Sequence, residues 1–158
     1  LLATFDGARY LKIWNVDEQE PLAQCVVSDF HPQYQTPQWS PTSREVAVLL
    51  LPWKHVLILG TDNATHRLET EGFFNSIAWD QSGTSLITTG AQFQVWDAAT
   101  WTIQREFYSG DQYEYSCLSP DGQLLATAGA SASIDVWKVD EGRRIAQLTG
   151  HSGPVIRV

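Results

Sequence analysis

The sequence has no methionine among its 158 residues and only two cysteines. The missing methionine predicts that Leu1 is not a natural start and that the chain is a piece of something longer. Cys25 and Cys117 form no CxxC pair, and neither has a histidine at metal-ligand spacing. Both are expected to be small apolar core residues, a usage that suits a reducing compartment. With no signal-peptide pattern at the start, a cytoplasmic location is expected. Long apolar runs are missing too. The longest, Val46–Trp53, is broken by Pro52 and followed by Lys54, far short of the ~20 residues of a membrane helix, so no membrane partner is expected. Basic charge is scarce, with 10 Lys and Arg against 18 Asp and Glu and a net charge of −8. An acidic surface repels phosphates, which disfavours nucleic acid as a partner. No stretch carries a 3.6-residue apolar stripe.

Catalytic signatures are missing as well. The four histidines, His31, His55, His66 and His151, do not pair with each other, with cysteine or with carboxylate at zinc spacing. There is no GxSxG elbow and no phosphate-cradling GxxxxGK. Asn63-Ala64-Thr65 matches a glycosylation acceptor, which the missing secretory signal makes a chance match. No catalytic residue, metal site or cofactor is expected.

What the sequence does contain is a composition of 43% hydrophobic and 18% charged residues, the balance of a core-forming globular chain, and a count. "LLAT" stands at Leu1–Thr4 and again at Leu124–Thr127. "IWNVDE" at Ile13–Glu18 lands on "VWKVDE" at Val136–Glu141, so Trp14 and Trp137 are also 123 residues apart, three times 41. Between them "VWDAAT" places Trp96 41 residues before Trp137, and the worn copy "ILGTDN" has Leu59 where tryptophan is expected. Trp39, Trp79 and Leu118 form a second series with steps of 40 and 39. Short β-branched and aromatic runs bounded by Gly, Pro, Asp and Ser read as strands. Four short strands per unit of about 40 residues are the pattern of a propeller blade. In "SPDG" at Ser119–Gly122, Pro120 fixes φ, Asp121 bonds its own backbone and Gly122 takes φ > 0. "QSG" at Gln81–Gly83 does the same one unit earlier.

The chain resembles the WD-repeat β-propellers. The residues that carry the resemblance are Trp96–Asp97, Ser119–Gly122, Gly129 and Gly150–His151. The stretch Ser119–His151 is close to a full family repeat; the other units match through spacing and apolar pattern. The resemblance implies an all-β fold of four-stranded antiparallel blades, each with strands a to d from inside to outside. Expected are a b strand at Leu1–Thr4 and a c strand at Leu11–Val16, with d near Leu22–Ser28. Three complete blades follow, opening on a strands near Pro37–Ser40, Ser76–Asp80 and Tyr115–Ser119, the last closing on d at Arg143–Thr149. A lone a strand is expected at Pro154–Val158. The repeat units run roughly 1–18, 19–61, 62–98, 99–139 and 140–158, about three complete blades and parts of a fourth, in an incomplete ring.

In this family a structural histidine is linked through a Ser or Thr on strand b and an Asp in the b–c turn to the Trp on strand c. Here Thr4 and Trp14, and Thr127 and Trp137, match the b and c positions, and Trp96 matches c. His151 would serve a strand c beyond the last residue, and no tetrad is complete. The resemblance implies a non-catalytic protein-interaction scaffold, a module of a larger signalling or assembly protein, with unidentified protein partners. Its rivals are the propeller portion of an enzyme with a channel-mouth active site and a purely structural repeat array.

Trp14, Trp39, Trp79, Trp96 and Trp137 are expected in the core. Trp53, in "LPWKH" on a b–c turn, and the aromatic d–a loops "DFHPQYQ" and "YSGDQYEY" form the expected partner rim. Its candidate contacts are Trp53, His31, Tyr34 and Tyr113.

Overall fold

Alternating β-branched and aromatic runs become antiparallel strands in the computed structural model, which describes residues 1–6, 9–27, 36–50, 55–69, 74–90, 92–108, 113–156 and 158. The chain forms two compact units, Leu1–Glu71 and Gly72–Val158. In the first, β1 (Leu2–Phe5), β2 (Tyr10–Trp14) and β3 (Pro21–Val26) make a three-stranded sheet. β4 (Gln38–Trp39), β5 (Glu45–Leu50), β6 (His55–Gly60) and β7 (Thr65–Glu69) make a four-stranded one. In the second unit, β8 (Phe74–Trp79), β9 (Ser85–Gly90), β10 (Gln92–Asp97) and β11 (Ile103–Tyr108) form one sheet. β12 (Tyr113–Leu118), β13 (Leu124–Gly129), β14 (Ile134–Lys138) and β15 (Arg143–Leu148) form the other. Within each sheet every strand pairs with its neighbours in sequence, as in a propeller blade, and no helix occurs among the described residues.

One turn design, used three times, joins the first two strands of each four-stranded sheet. Ser40, Asp80 and Ser119 each follow the last residue of an inner strand. The side chain of each accepts the N–H of the residue five positions on: Ser40 Oγ from Glu45 at 3.3 Å, Asp80 Oδ1 from Ser85 at 2.7 Å, Ser119 Oγ from Leu124 at 2.9 Å. Their own N–H groups donate to the same three residues. Each turn also has a positive-φ residue, Ser43 at 56°, Gly83 at 71° and Gly122 at 72°. Glycine adopts that conformation freely; serine does so at a cost.

The cores lie between facing sheets. In the first unit Leu11, Ile13 and Ala23 meet Val46, Val48, Leu57 and Leu59, all buried. In the second, Ile87, Phe93 and Val95 meet Leu125, Trp137 and Val139. Phe93 makes edge contacts with Trp137 and Phe107, each at 5.1 Å between ring centroids, worth about 0.5–1.5 kcal/mol apiece beyond area burial.

Four sequence expectations change. Residues 154–158 form no strand among the described residues, although Val155 is buried. Each inner strand is held by the strand that follows it, β4 by β5, β8 by β9 and β12 by β13. Among the described residues the last segment pairs with no strand. Cys117 is exposed, against the expected core position, while Cys25 is half-buried and packs against the core of the first unit. On β12, Ser116 and Leu118 turn toward the β8–β11 sheet, and side-chain alternation sends Tyr115 and Cys117 to the opposite, uncovered face. β2 stops at Trp14, and Val16, expected in the strand, is 72% exposed in the turn. Of the five core tryptophans, Trp96 and Trp137 are buried while Trp14, Trp39 and Trp79 are half-buried.

Candidate functional site

The second strand of a blade supplies a hydroxyl and the third a tryptophan. Trp14 Nε1 donates to Thr4 Oγ1 at 2.7 Å, Trp96 Nε1 to Thr88 Oγ1 at 3.0 Å and Trp137 Nε1 to Thr127 Oγ1 at 2.8 Å. The pairing register is shared: Leu2 opposes Trp14, Leu86 opposes Trp96 and Leu125 opposes Trp137. Threonine stands two residues further along each time. At Trp96 and Trp137 the bond satisfies an indole N–H that burial would otherwise leave unpaired, a net gain of about 0.5–1.5 kcal/mol. Thr88 is the partner that sequence reading missed. Its signal was its place 39 residues before Thr127.

In the β4–β7 sheet both members change together. Val46 opposes Leu59, which puts Val48 at the threonine position and Leu59 at the tryptophan position. Both are buried. The ladder responds as well. The pairing of the third and fourth strands slips by one residue beside Trp14, Trp96 and Trp137, a β-bulge each time. Beside Leu59 the ladder runs without a slip.

Asp97 caps the β10–β11 turn. Its Oδ1 accepts the N–H groups of Ala99 and Thr100 and the Thr100 hydroxyl, and its Oδ2 accepts Gln104 Nε2 at 2.6 Å. The Thr100 bonds, helped by Ala99 and Gln104, hold its pKa below the usual carboxylate value. The bond from Ser119 Oγ and the Gln123 N–H lower the pKa of Asp121 in the same way. His151 is exposed near the C-terminus. Among the rim candidates, Trp53, His31 and Tyr34 lie outside the described residues. Tyr113 opens β12 opposite Gly129, with its side chain outside the description. Among the described residues no group of three His, Cys, Asp or Glu side chains could hold a metal ion, and no helix is long and apolar enough to cross a membrane.

A groove of about 420 Å³ lies between the two sheets of the second unit. It opens at the end that carries the β8–β9, β12–β13 and β14–β15 turns, opposite the β9–β10 and β13–β14 turns. Ile87, Val95 and Val139 supply apolar surface, and Asp80, Asp121, Asp140, Gln104, Gln123, Arg105 and Lys138 supply polar groups. The sheets are tied at this end. Arg105 Nη1 donates to the Asp140 carbonyl at 2.9 Å, and a Cβ on Gly122 would lie 3.3 Å from Asp80 Cβ.

Sheets of consecutive antiparallel strands, with a hydroxyl–indole bond at one register, define a protein built from β-propeller blades. No protein-family model matches the chain. It is 30% identical over 86 residues to "Anaphase-promoting complex subunit cdc20" of Dictyostelium discoideum, a stretch that is 52% of this chain and 17% of that protein. It is 34% identical over 85 residues to "WD repeat-containing protein 3 homolog" of the same organism, covering 51% and 9%. To that organism's "Periodic tryptophan protein 2 homolog" it is 28% identical over 99 residues, covering 60% and 10%. The chain thus spans 9–17% of the length of the curated relatives it matches. These matches, over about half of the chain, are consistent with a chain built from WD-type repeats.

Proposed function

We propose that the chain is a non-catalytic scaffold that binds other proteins as a module of a larger signalling or assembly protein in the cytoplasm. The observation that carries the reading is where its polar and aromatic groups are used. The threonine–tryptophan bonds are spent inside the sheets, which leaves the connecting segments free to vary. Rigid sheets presenting variable loops suit recognition. The partner rim is assigned to Trp53, His31 and Tyr34, which fall between strands in the sequence, and to Tyr113 at the start of β12. Aromatic side chains there favour protein contacts. One relative's name makes it a subunit of a multiprotein complex, in keeping with an assembly role.

The test is partner capture by the full-length protein. Trp53→Ala and Tyr34→Ala together are expected to reduce a captured partner at least tenfold, the scale of one hot-spot residue. Unchanged capture by a folded variant would remove the rim from the account.

A further inference from the structure

We infer that the groove between the β8–β11 and β12–β15 sheets is a second binding site, one that takes a long cationic side chain, arginine in preference to lysine, from a segment of a protein partner. The inference rests on the scaffold reading above but uses a different set of residues.

The lining is layered in a way that fits such a side chain. Ile87, Val95 and Val139, each at most 8% exposed, offer apolar surface to an aliphatic stem. The mouth is rich in acceptors. Asp121 is exposed, and its Oδ1 accepts from Ser119 Oγ at 2.5 Å and from the Gln123 N–H at 3.1 Å. Asp140 contacts Lys138 Nζ through Oδ2 at 3.8 Å, leaving Oδ1. Gln104 donates its Nε2 to Asp97, which leaves its Oε1 as an acceptor. Acceptors on several segments suit the five-donor fork of a guanidinium better than a compact ammonium.

The cations already present do not cancel this. Lys138 Nζ is bound to Glu141 Oε1 at 2.5 Å, and Arg105 donates to the Asp140 carbonyl. Three carboxylates face these two engaged cations in the lining, so an anionic group would enter against net negative charge while a cation would complete the balance. The volume falls within the ~300–1,000 Å³ of ordinary ligand sites. The groove is also held open by the fold. The β12–β13 turn is fixed by the positive φ of Gly122, the β10–β11 turn by Asp97, and the β14–β15 turn by the Gly142 N–H donated to the Lys138 carbonyl at 2.9 Å.

The probe is the blocked peptide acetyl-Leu-Arg-Leu-Gly-amide, titrated into the whole isotope-labelled chain and followed by amide NMR shifts. Saturable shifts are expected at Gly122, Gln123, Val139 and Asp140. The citrulline version, which keeps the shape and loses the charge, should bind at least fivefold more weakly. Asp140→Asn should weaken the arginine peptide about fivefold, the upper scale of one exposed ion pair, with an unchanged melting temperature. Equal binding of the citrulline peptide, shifts confined to other residues, or no saturation at millimolar peptide would each overturn the site. A full-length protein that still captures a partner through Trp53 while the groove stays silent would leave the scaffold reading standing and refute this one alone.

Discussion

The β4–β7 sheet and the β12–β15 sheet solve one packing problem with opposite chemistry. In the C-terminal sheet Thr127 and Trp137 meet through a buried hydrogen bond, and the outer strand bulges by one residue beside the indole. In the other, Val48 and Leu59 occupy the same two places as apolar side chains, and the outer strand pairs without a slip. Both pairs are buried. The blade therefore does not depend on the indole bond for its strand order. Repeated turns and alternating apolar residues set that order, and the anchor adds local fixity. Replacing both polar partners by apolar ones costs little, whereas losing one of two costs the desolvation of the other.

The comparison breaks hardest at the large side chains. Trp137→Ala removes the ring that packs on Phe93 and Phe107 and should destabilise by about 3–5 kcal/mol. Leu59→Ala should cost about 2–5 kcal/mol, so denaturant unfolding should place the indole site at or above the leucine site. Thr127→Val leaves the Trp137 N–H buried without its acceptor and should cost about 1–3 kcal/mol.

The turns come next. Gly122→Ala puts a side chain at φ 72° and within 3.3 Å of Asp80 Cβ and should cost about 1–2 kcal/mol. Ser43→Gly, at the equivalent place in the Val48–Leu59 blade, relieves a left-handed serine and should stabilise by up to about 1 kcal/mol. Both are read from shifts in the denaturation midpoint.

The smallest effect is a pH dependence. The folded pKa of Asp97 lies below its unfolded value, so its contribution is present above the unfolded pKa and fades as pH falls through the folded one. Asp97→Asn should therefore flatten the acid limb of the stability profile of the Gly72–Val158 unit. An unchanged acid limb would contradict the turn-cap role.

Much of this was legible in the sequence. Strands bounded by "SPDG" or "QSG" could be placed to within about two residues, because proline, aspartate and glycine fix turns through local backbone chemistry. Thr4–Trp14 and Thr127–Trp137 could be paired through the family resemblance, because "LLAT" and the tryptophan segment recur at the same spacing in both units. Thr88 escaped because "SLITTG" offers two adjacent threonines, and only the ladder, with Leu86 opposite Trp96, singles out the first. The exposure of Cys117 was hidden because a short apolar strand does not say which of its faces will be covered. The groove was illegible for another reason. Asp80, Arg105, Asp121 and Asp140 are brought together by the packing of two sheets, and no local pattern links them.

The central claim is that one register holds a hydrogen-bonded pair in some blades and an apolar pair in another, with the same strand order around both. A double-mutant cycle tests it most directly. Thr127→Val and Trp137→Phe, measured singly and together by denaturant unfolding, should show a coupling of about 1 kcal/mol. The matching cycle of Val48→Ala and Leu59→Val has no directional bond to lose, so its coupling should be smaller than that of the Thr127–Trp137 pair. Additive effects at Thr127 and Trp137, to within about 0.3 kcal/mol, would contradict the account.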